Sequence, residues 1–182
     1  YRIFSELVFC LLTPQSKAKI CWHAVEEIMA KNLLFKDDIS KEELMEKLRG
    51  VRFKNRKAEY ILRVKNRFIY NGKPRVKKLL NSFDTPWDIR EWLVENIDGM
   101  GYKEASHFLR NIGFGKDLAI LDRHILKNLR ILGVIEEIPK SMTRRNYLEI
   151  EEKMKLFSEN IGIPMDHLDL ALWYKETGEV FK

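Results

Sequence analysis

Residues 97–105 read IDGMGYKEA, and this short stretch decides the fold more than any other part of the chain. Gly99 and Gly101 stand two residues apart, a spacing that allows a tight turn with outward-pointing N–H groups. The residues that follow, 103–112, carry apolar side chains at helical spacing. A glycine hairpin that opens a helix presents free amides and the positive end of the helix dipole to one point. The stretch therefore predicts an anion-binding hairpin.

Two polar residues give this hairpin candidate chemistry. Lys103 falls on the first turn of the predicted helix, where the helix dipole disfavours the ammonium form and favours a nucleophilic amine. Asp122 precedes an apolar stripe at helical spacing, so we predict that it caps the next helix. A carboxylate there can stabilise an oxocarbenium-like sugar or help to activate the amine. Each residue alone is more typical of a surface lysine or a simple cap, and only together with the glycines and the family spacing described below do they indicate a catalytic pair.

The charge of the chain is concentrated in one segment. The net charge is +6, yet residues 49–78 carry twelve basic residues against one acid, which gives +11 there and −5 elsewhere. The basic residues are Arg49, Arg52, Lys54, Arg56, Lys57, Arg63, Lys65, Arg67, Lys73, Arg75, Lys77 and Lys78. Aromatic residues interleave them at Phe53, Tyr60, Phe68 and Tyr70, although these could equally belong to the core. Such a basic segment favours a nucleic-acid partner over a merely solvated helix face.

Helical periodicity runs through nearly the whole chain, and we predict an all-α fold. Ser40 with a glutamate three residues on is a capping box, and Thr85 followed by proline is a second helix start. One longer helix is expected to run through Ile69 and to stop at Asn71-Gly72. No apolar run approaches the roughly 20 residues of a membrane span, and no secretory signal is visible.

The hairpin, Lys103 and Asp122 together closely resemble the helix-hairpin-helix DNA glycosylases, a superfamily that excises damaged bases. The resemblance implies two helical lobes with a DNA cleft between them. Residues 1–15 with 113–182 would form one lobe, and 16–112 the other, with the helix-hairpin-helix at about 90–112. In this superfamily the lysine marks members that also cleave the backbone. The resemblance implies that Lys103 attacks the sugar C1′ and forms a Schiff base, after which β-elimination nicks the strand. Asp122 would be the catalytic carboxylate.

The resemblance extends to further DNA contacts. Residues 11–16, LLTPQS, are similar to an early loop in which a polar residue fills the hole left by a flipped base. Gln15 is the first candidate for this role and Ser16 the second, although both could simply cap the next helix. Residues 56–61, RKAEYI, resemble a stretch near the DNA, and His124 fits a phosphate contact or ordinary packing almost equally well. The DNA-contacting residues implied are Gly99, Gly101, Gln15, Ser16, Lys57, Arg123 and His124.

Within the superfamily, the chain is most similar to the archaeal type-2 8-oxoguanine DNA glycosylase/lyases. Its size fits, and with only two cysteines it lacks the four that hold an iron–sulfur cluster in many relatives. In that group a C-terminal lysine and a nearby tryptophan help to form the pocket for oxidised guanine. This implies base recognition by Trp173, Phe181 and Lys182, although Trp173 could also be a core residue. We expect no cofactor, because no metal-ligand cluster is visible among the four scattered histidines. The resemblance implies at most a monovalent cation on the hairpin backbone carbonyls.

These observations predict a bifunctional 8-oxoguanine DNA glycosylase and abasic-site lyase. Its partner would be double-stranded DNA containing oxidised guanine. We expect a monomer without membrane association. The low cysteine content fits a reducing compartment, and so an intracellular protein of the cytoplasm or nucleoid. Two alternatives stay open: an endonuclease III-like glycosylase/lyase for oxidised pyrimidines, and a non-catalytic helix-hairpin-helix DNA-binding module. A helical protein-interaction domain would not explain the basic segment.

Overall fold

The computed structural model describes residues 1–36 and 38–181, and within them α-helices dominate, as predicted. The helices of this described part are α1 (Arg2–Leu12), α2 (Ala18–Ala30), α3 (Lys41–Lys47), α4 (Lys54–Phe68), α5 (Val76–Leu80), α6 (Pro86–Asn96), α7 (Tyr102–Asn111), α8 (Arg123–Ile131), α9 (Arg144–Ile161) and α10 (Met165–Thr177). A short 3₁₀ helix (Leu33–Phe35) and two strands, β1 (Ile69–Tyr70) and β2 (Lys73–Pro74), are the other regular elements described. The all-α prediction is confirmed.

The helices begin and end where short polar signals interrupt the apolar periodicity. The Ser40 hydroxyl accepts a hydrogen bond of 3.1 Å from the Glu43 N–H and so caps α3. Thr85 caps α6 in the same way, accepting from the Asp88 N–H at 3.2 Å. At the other end of a helix, Gly162 follows α9 with a φ of 69°, a conformation that glycine adopts without strain. The starts of α3 and α6 agree with the sequence prediction.

The predicted end of α4 at Asn71-Gly72 was wrong, and the prediction missed a small hairpin. The helix ends at Phe68, and Ile69 pairs with Pro74 in a two-stranded antiparallel sheet. Asn71 and Gly72 connect the strands with φ values of 48° and 67°. Positive φ at both central residues is the type I′ geometry that joins tight β-hairpins, and Asn-Gly is its preferred sequence. Two-residue strands leave no alternating pattern, so periodicity could not reveal them.

The chain divides into two compact units, Tyr1–Glu104 and Ala105–Lys182. In the first unit, α1 is buried from Phe4 to Leu12 and packs against α2, α4 and α5. Seven of these nine buried residues are apolar, which accounts for the buried position of α1 only in part, because Ser5 and Glu6 are buried with the other seven. This grouping differs from the expected lobes, which joined residues 1–15 to 113–182, and the lobe assignment around a DNA cleft stays a prediction.

In the second unit, α10 packs against α8 and α9. The largest fully buried side chains there are those of Phe108 and Tyr147. Among all the helices that the structure describes, none combines the length and the apolar character that a bilayer crossing requires.

Candidate active site

The glycine hairpin forms a tight turn between α6 and α7. The Ile97 carbonyl accepts a 3.1 Å hydrogen bond from the Met100 N–H, and Gly99 lies inside this turn with a φ of +81°. A Cβ at Gly99 would lie 2.4 Å from ring carbons of Tyr60, so backbone conformation and packing both require glycine. Residues 94–101 line an open depression of about 380 Å³.

Helix α4 braces this hairpin from one face. Tyr60 packs on Gly99, and one turn further along α4 the Arg63 guanidinium donates to the Asp98 carboxylate at 2.6 Å. The acidic partner raises the pKa of Arg63 further above its ordinary value. Both side chains of this ion pair are more than half exposed, so it adds little to stability and acts mainly to place the hairpin.

Lys103 is the second residue of α7, and the next residue, Glu104, holds it. The Glu104 Oε1 atom lies 2.9 Å from the Lys103 Nζ atom, while its Oε2 accepts from the Gly101 N–H at 3.2 Å. Glu104 is the third residue of the helix, the position from which a glutamate can reach back to the N–H of the capping residue. Sequence reasoning missed this residue, although its position was a sufficient signal.

Asp122 caps α8, as predicted. Its Oδ1 atom accepts hydrogen bonds from the N–H groups of His124 and Ile125, at 2.8 and 2.9 Å. Among the described residues nothing donates to the other oxygen, Oδ2. The cap therefore occupies one oxygen and leaves the second available to a ligand.

The segment that carries Asp122 is held by α9. The Ala119 carbonyl accepts from the Tyr147 hydroxyl at 2.6 Å, and the Ala119 N–H donates to Glu151 at 2.8 Å. The Leu121 N–H also donates to the Tyr147 hydroxyl, at 3.4 Å. Since these groups are buried, the hydrogen bonds satisfy backbone that belongs to no helix or strand, and they fix the start of α8.

A second carboxylate of this unit, Asp169, was not predicted from the sequence. Burial raises its pKa to about 7, and nearby Asp122 acts in the same direction, against the opposing effect of Arg110. The Arg110 guanidinium donates to Oδ2 of Asp169 at 2.7 Å, whereas the buried Oδ1 has no partner among the described residues. Asp169 lies one helical turn before Trp173 on α10, so the two side chains share a helix face. The unused Oδ1 acceptor of Asp169 is therefore on the same face as Trp173.

Trp173 is half-buried and meets His124 edge to face, with ring centroids 5.3 Å apart. The His124 Nδ1 atom lies 3.6 Å from a Glu176 oxygen, and its Nε2 accepts from the Arg123 side chain at 3.2 Å. The structure thus brings His124, Arg123 and Trp173 together. Phe181 is partly exposed, and Lys182 lies outside the described residues.

The loop with Gln15 has an unusual backbone. Gln15 is exposed and adopts a φ of 55°, and the Ser16 N–H donates to the Thr13 carbonyl at 3.0 Å. The predicted DNA contact through Lys57 needs correction, because this side chain is buried and 4% exposed. Its ammonium donates to protein oxygens, so a phosphate could reach it only if the loop opened.

The basic segment is mostly exposed. Ten of its twelve Lys and Arg residues are exposed, and the buried exceptions are Lys57 and Lys65. The aromatic residues divide between surface and core: Phe53 and Tyr70 are more than half exposed, while Phe68 is buried. The Arg75 guanidinium lies over the Tyr70 ring, 4.0 Å from its centroid. The surface therefore offers cations and aromatic faces side by side.

Among the described residues, no group of three or more His, Cys, Asp or Glu side chains is arranged to hold a metal ion. Cys10 and Cys21 are both buried in the first unit, and no disulfide joins them. Residues 94–101 line the hairpin depression, and the monovalent cation there stays a prediction.

An all-α protein with a glycine hairpin, a lysine at the start of the following helix and an aspartate capping a later one falls in the helix-hairpin-helix class of DNA glycosylases. Comparison with known proteins defines the family within this class. A family model described as 8-oxoguanine DNA glycosylase matches residues 1–163, and the chain belongs to this family.

Similar proteins come from bacteria and archaea. An 8-oxoguanine DNA glycosylase/AP lyase of Fusobacterium nucleatum is 51% identical over 180 residues, which cover 99% of this chain and 82% of the relative. The Methanocaldococcus jannaschii protein of the same name is 44% identical over 181 residues, covering 98% and 82%. The structure of the Methanocaldococcus jannaschii glycosylase/lyase with a 15mer DNA containing 8-oxoguanine matches with a TM-score of 0.87 at 42% identity. It covers all of this chain and 83% of the other.

Proposed function

We propose that this protein excises 8-oxoguanine from double-stranded DNA and cleaves the strand at the resulting abasic site. The observation that carries the proposal is Lys103, which begins the helix opened by the glycine hairpin in a chain of the 8-oxoguanine DNA glycosylase family. A purely DNA-binding hairpin needs the turn and its amides. It does not need a half-buried amine beside them, such as that of Lys103, whose side chain is 29% exposed.

The reaction begins when the damaged nucleotide leaves the duplex, because the sugar C1′ is otherwise unreachable. The Lys103 ammonium first loses a proton, which the Glu104 carboxylate at 2.9 Å can accept. The amine then forms a bond to C1′ as the bond from C1′ to the base nitrogen breaks. The base leaves with the electron pair and takes up a proton.

The covalent intermediate opens the sugar ring and becomes a Schiff base. Loss of a C2′ proton then lets the 3′ phosphate leave with its electron pair, which is β-elimination. Positive charge develops on the sugar during base departure, and the free Oδ2 atom of Asp122 is suited to stabilise it. One carboxylate can thus serve two roles, because Oδ1 caps the helix while Oδ2 stays available for catalysis.

Base recognition requires groups that distinguish 8-oxoguanine from guanine by the N7 proton and the C8 oxygen. Trp173 offers a flat stacking surface, and the unused Oδ1 of Asp169 can accept a hydrogen bond from a nucleobase N–H. Phe181 and Lys182 complete the proposed pocket from the tail. The buried position of Asp169 favours this role, because an acceptor without a partner inside protein is costly unless a ligand uses it.

The remaining predicted contacts serve the DNA backbone. The Gly99 amide, the exposed basic segment and Arg123 supply positive potential and N–H donors for phosphates. The Gly101 N–H can join them once it leaves the Glu104 carboxylate, and His124 orients the Arg123 side chain. A monovalent cation on the hairpin carbonyls would add to this. We expect a monomer that acts in the cell wherever chromosomal DNA lies, with Gln15 and Ser16 at the site of the extruded nucleotide.

A panel of duplexes, each with one oxidised base, tests the proposal. The protein should release 8-oxoguanine, and borohydride should trap a covalent protein–DNA adduct that Lys103→Gln abolishes. Excision of oxidised pyrimidines in preference to 8-oxoguanine would instead assign the endonuclease III-like activity. Binding without base release would leave a DNA-binding module, and an undiminished adduct in the Lys103 variant would move the nucleophile elsewhere.

A further inference from the structure

Lys57 lies on α4 with its ammonium buried among protein oxygens. The Nζ atom donates to the Leu12 carbonyl at 2.7 Å, to the Pro14 carbonyl at 2.7 Å and to the Ser16 hydroxyl at 3.0 Å. These three partners use all the donors that an ammonium has. Burial lowers the pKa of Lys57, and the cation nevertheless finds a full set of acceptors. A surface lysine that merely snorkels would not be bound in this way.

Two of these acceptors, on Pro14 and Ser16, belong to the loop that carries Gln15, and the third is the carbonyl of Leu12, the last residue of α1 before this loop. Residues 13–16 form a turn in which the Ser16 N–H donates to the Thr13 carbonyl. Pro14 occupies the second position, and Gln15 occupies the third with a φ of 55°. This pattern matches a type II turn, whose third position requires a positive φ and favours glycine or asparagine. Glutamine fits neither preference, so its backbone is strained there.

The Lys57 contacts bracket the strained residue. The Leu12 and Pro14 carbonyls lie before Gln15 in the chain, and the Ser16 hydroxyl lies after it. The same hydroxyl also accepts from the Arg52 N–H at 3.0 Å, which ties the turn to the segment that leads into α4. The turn is therefore fixed on both sides, while the Gln15 side chain itself stays exposed. A strained conformation persists only where the surroundings determine it.

We propose that Lys57 is a positioning residue for base extrusion: its buried ammonium holds the 13–16 turn so that Gln15 points into the space vacated by the flipped nucleotide. This inference rests on the proposed function, since Gln15 has such a space to fill only if the enzyme extrudes a base. Lys57 thus contributes to DNA recognition without touching DNA, in place of the direct contact expected from the sequence.

A double-mutant cycle between Lys57→Met and Gln15→Ala tests the proposal. The methionine keeps most of the side-chain volume and removes the ammonium. Single-turnover excision of 8-oxoguanine should slow by about tenfold in each single variant, because a small misplacement of a positioned group is already costly. The double variant should be no slower than Gln15→Ala, since both changes remove the same insertion. Fluorescence of 2-aminopurine beside the lesion should show equally weak base extrusion in all three variants.

The matched control is Lys65→Met, which removes another buried lysine of α4, two turns further on. In the double variant, the factors by which Lys65→Met and Gln15→Ala slow excision should multiply, as expected for a change unrelated to the loop. Multiplying effects of Lys57→Met and Gln15→Ala would overturn the proposal, as would full activity of Lys57→Met. If Lys57→Met does not fold, Ser16→Ala, which removes one ammonium acceptor, takes its place in the cycle with the same expected outcomes. A wild-type protein that excises no 8-oxoguanine would refute the proposed function instead.

Discussion

Glu104 binds Lys103 through one carboxylate oxygen and the hairpin through the other. Its Oε1 lies 2.9 Å from the lysine Nζ, and its Oε2 accepts from the Gly101 N–H at 3.2 Å. A DNA phosphate approaching the hairpin amides would meet this carboxylate first. The position of the candidate nucleophile and the state of the hairpin are therefore linked through one side chain.

Replacing Glu104 with glutamine should separate these two contacts. The glutamine oxygen can still accept from the Gly101 N–H, so we expect the thermal stability to change little. It cannot accept a proton from Lys103, and Schiff-base formation should slow by roughly 10²-fold, the lower range for loss of a general base. Borohydride trapping in single-turnover experiments measures this rate. Trapping at the wild-type rate would show that Glu104 serves only as a structural residue.

Asp122→Asn tests whether the free oxygen of Asp122 acts in catalysis. Asparagine caps helices about as well as aspartate, and the oxygen that bonds to the His124 and Ile125 N–H groups is retained. The free energy of unfolding should thus stay within about 0.5 kcal/mol of wild type. Base excision should nevertheless slow by two orders of magnitude or more, because a neutral amide does not stabilise positive charge.

Asp122→Ala provides the stability control for that variant. It should lose about 1 kcal/mol, the ordinary cost of removing a cap, together with the activity. Wild-type turnover in Asp122→Asn would reduce Asp122 to a cap alone.

The exposed basic segment should determine how binding depends on salt. For undamaged duplex, the log of the binding constant should fall with log salt at a slope near −0.9 per phosphate contact. Neutralising Arg52, Lys54 and Arg56 to glutamine should make this slope less steep by up to about three such contacts. A control that neutralises Lys116, Arg145 and Lys153 removes the same charge elsewhere. Equal slopes in the two variants would mean that overall charge, and not this surface, attracts DNA.

The fold could be predicted from the sequence because its helices carry regular apolar spacing and recognisable caps. Asp122 shows why this succeeds: a cap is a local property of a few neighbouring residues. Lys57 shows where it fails, because a lysine within a run of basic residues looks solvated until the 12–16 loop folds over it. The unpartnered oxygen of Asp169 could likewise not be predicted, since burial and the Arg110 contact depend on packing between residues far apart in the sequence.

Asp169 predicts a pH dependence of stability. Its pKa is raised from 3.8 to about 7, so the folded state keeps a proton that the unfolded state releases above pH 4. The stability that this proton contributes is complete below about pH 4 and is lost as the pH rises to about 7. Asp169→Asn has no such proton, and its free energy of unfolding should fall less than that of wild type between pH 4 and 7.

Urea unfolding followed by circular dichroism at several pH values measures this difference. Asp117→Asn, which changes an exposed carboxylate of the same unit outside α10, is the control and should leave the wild-type pH dependence intact. Parallel pH profiles for wild type and Asp169→Asn would show that Arg110 keeps the Asp169 carboxylate ionised in the folded protein.

Gln15→Gly should make the protein more stable and less active. Glycine adopts a positive φ without the Cβ clash, which for other residues costs about 1–2 kcal/mol, so relief of strain should outweigh the greater flexibility of the unfolded chain. The melting temperature should rise, while excision should slow about as much as in Gln15→Ala, because both variants lack the inserted side chain. Gln15→Asn is the matched control, since it suits the turn and keeps a shorter amide. A rise in stability without loss of excision would mean that base extrusion does not use the Gln15 side chain.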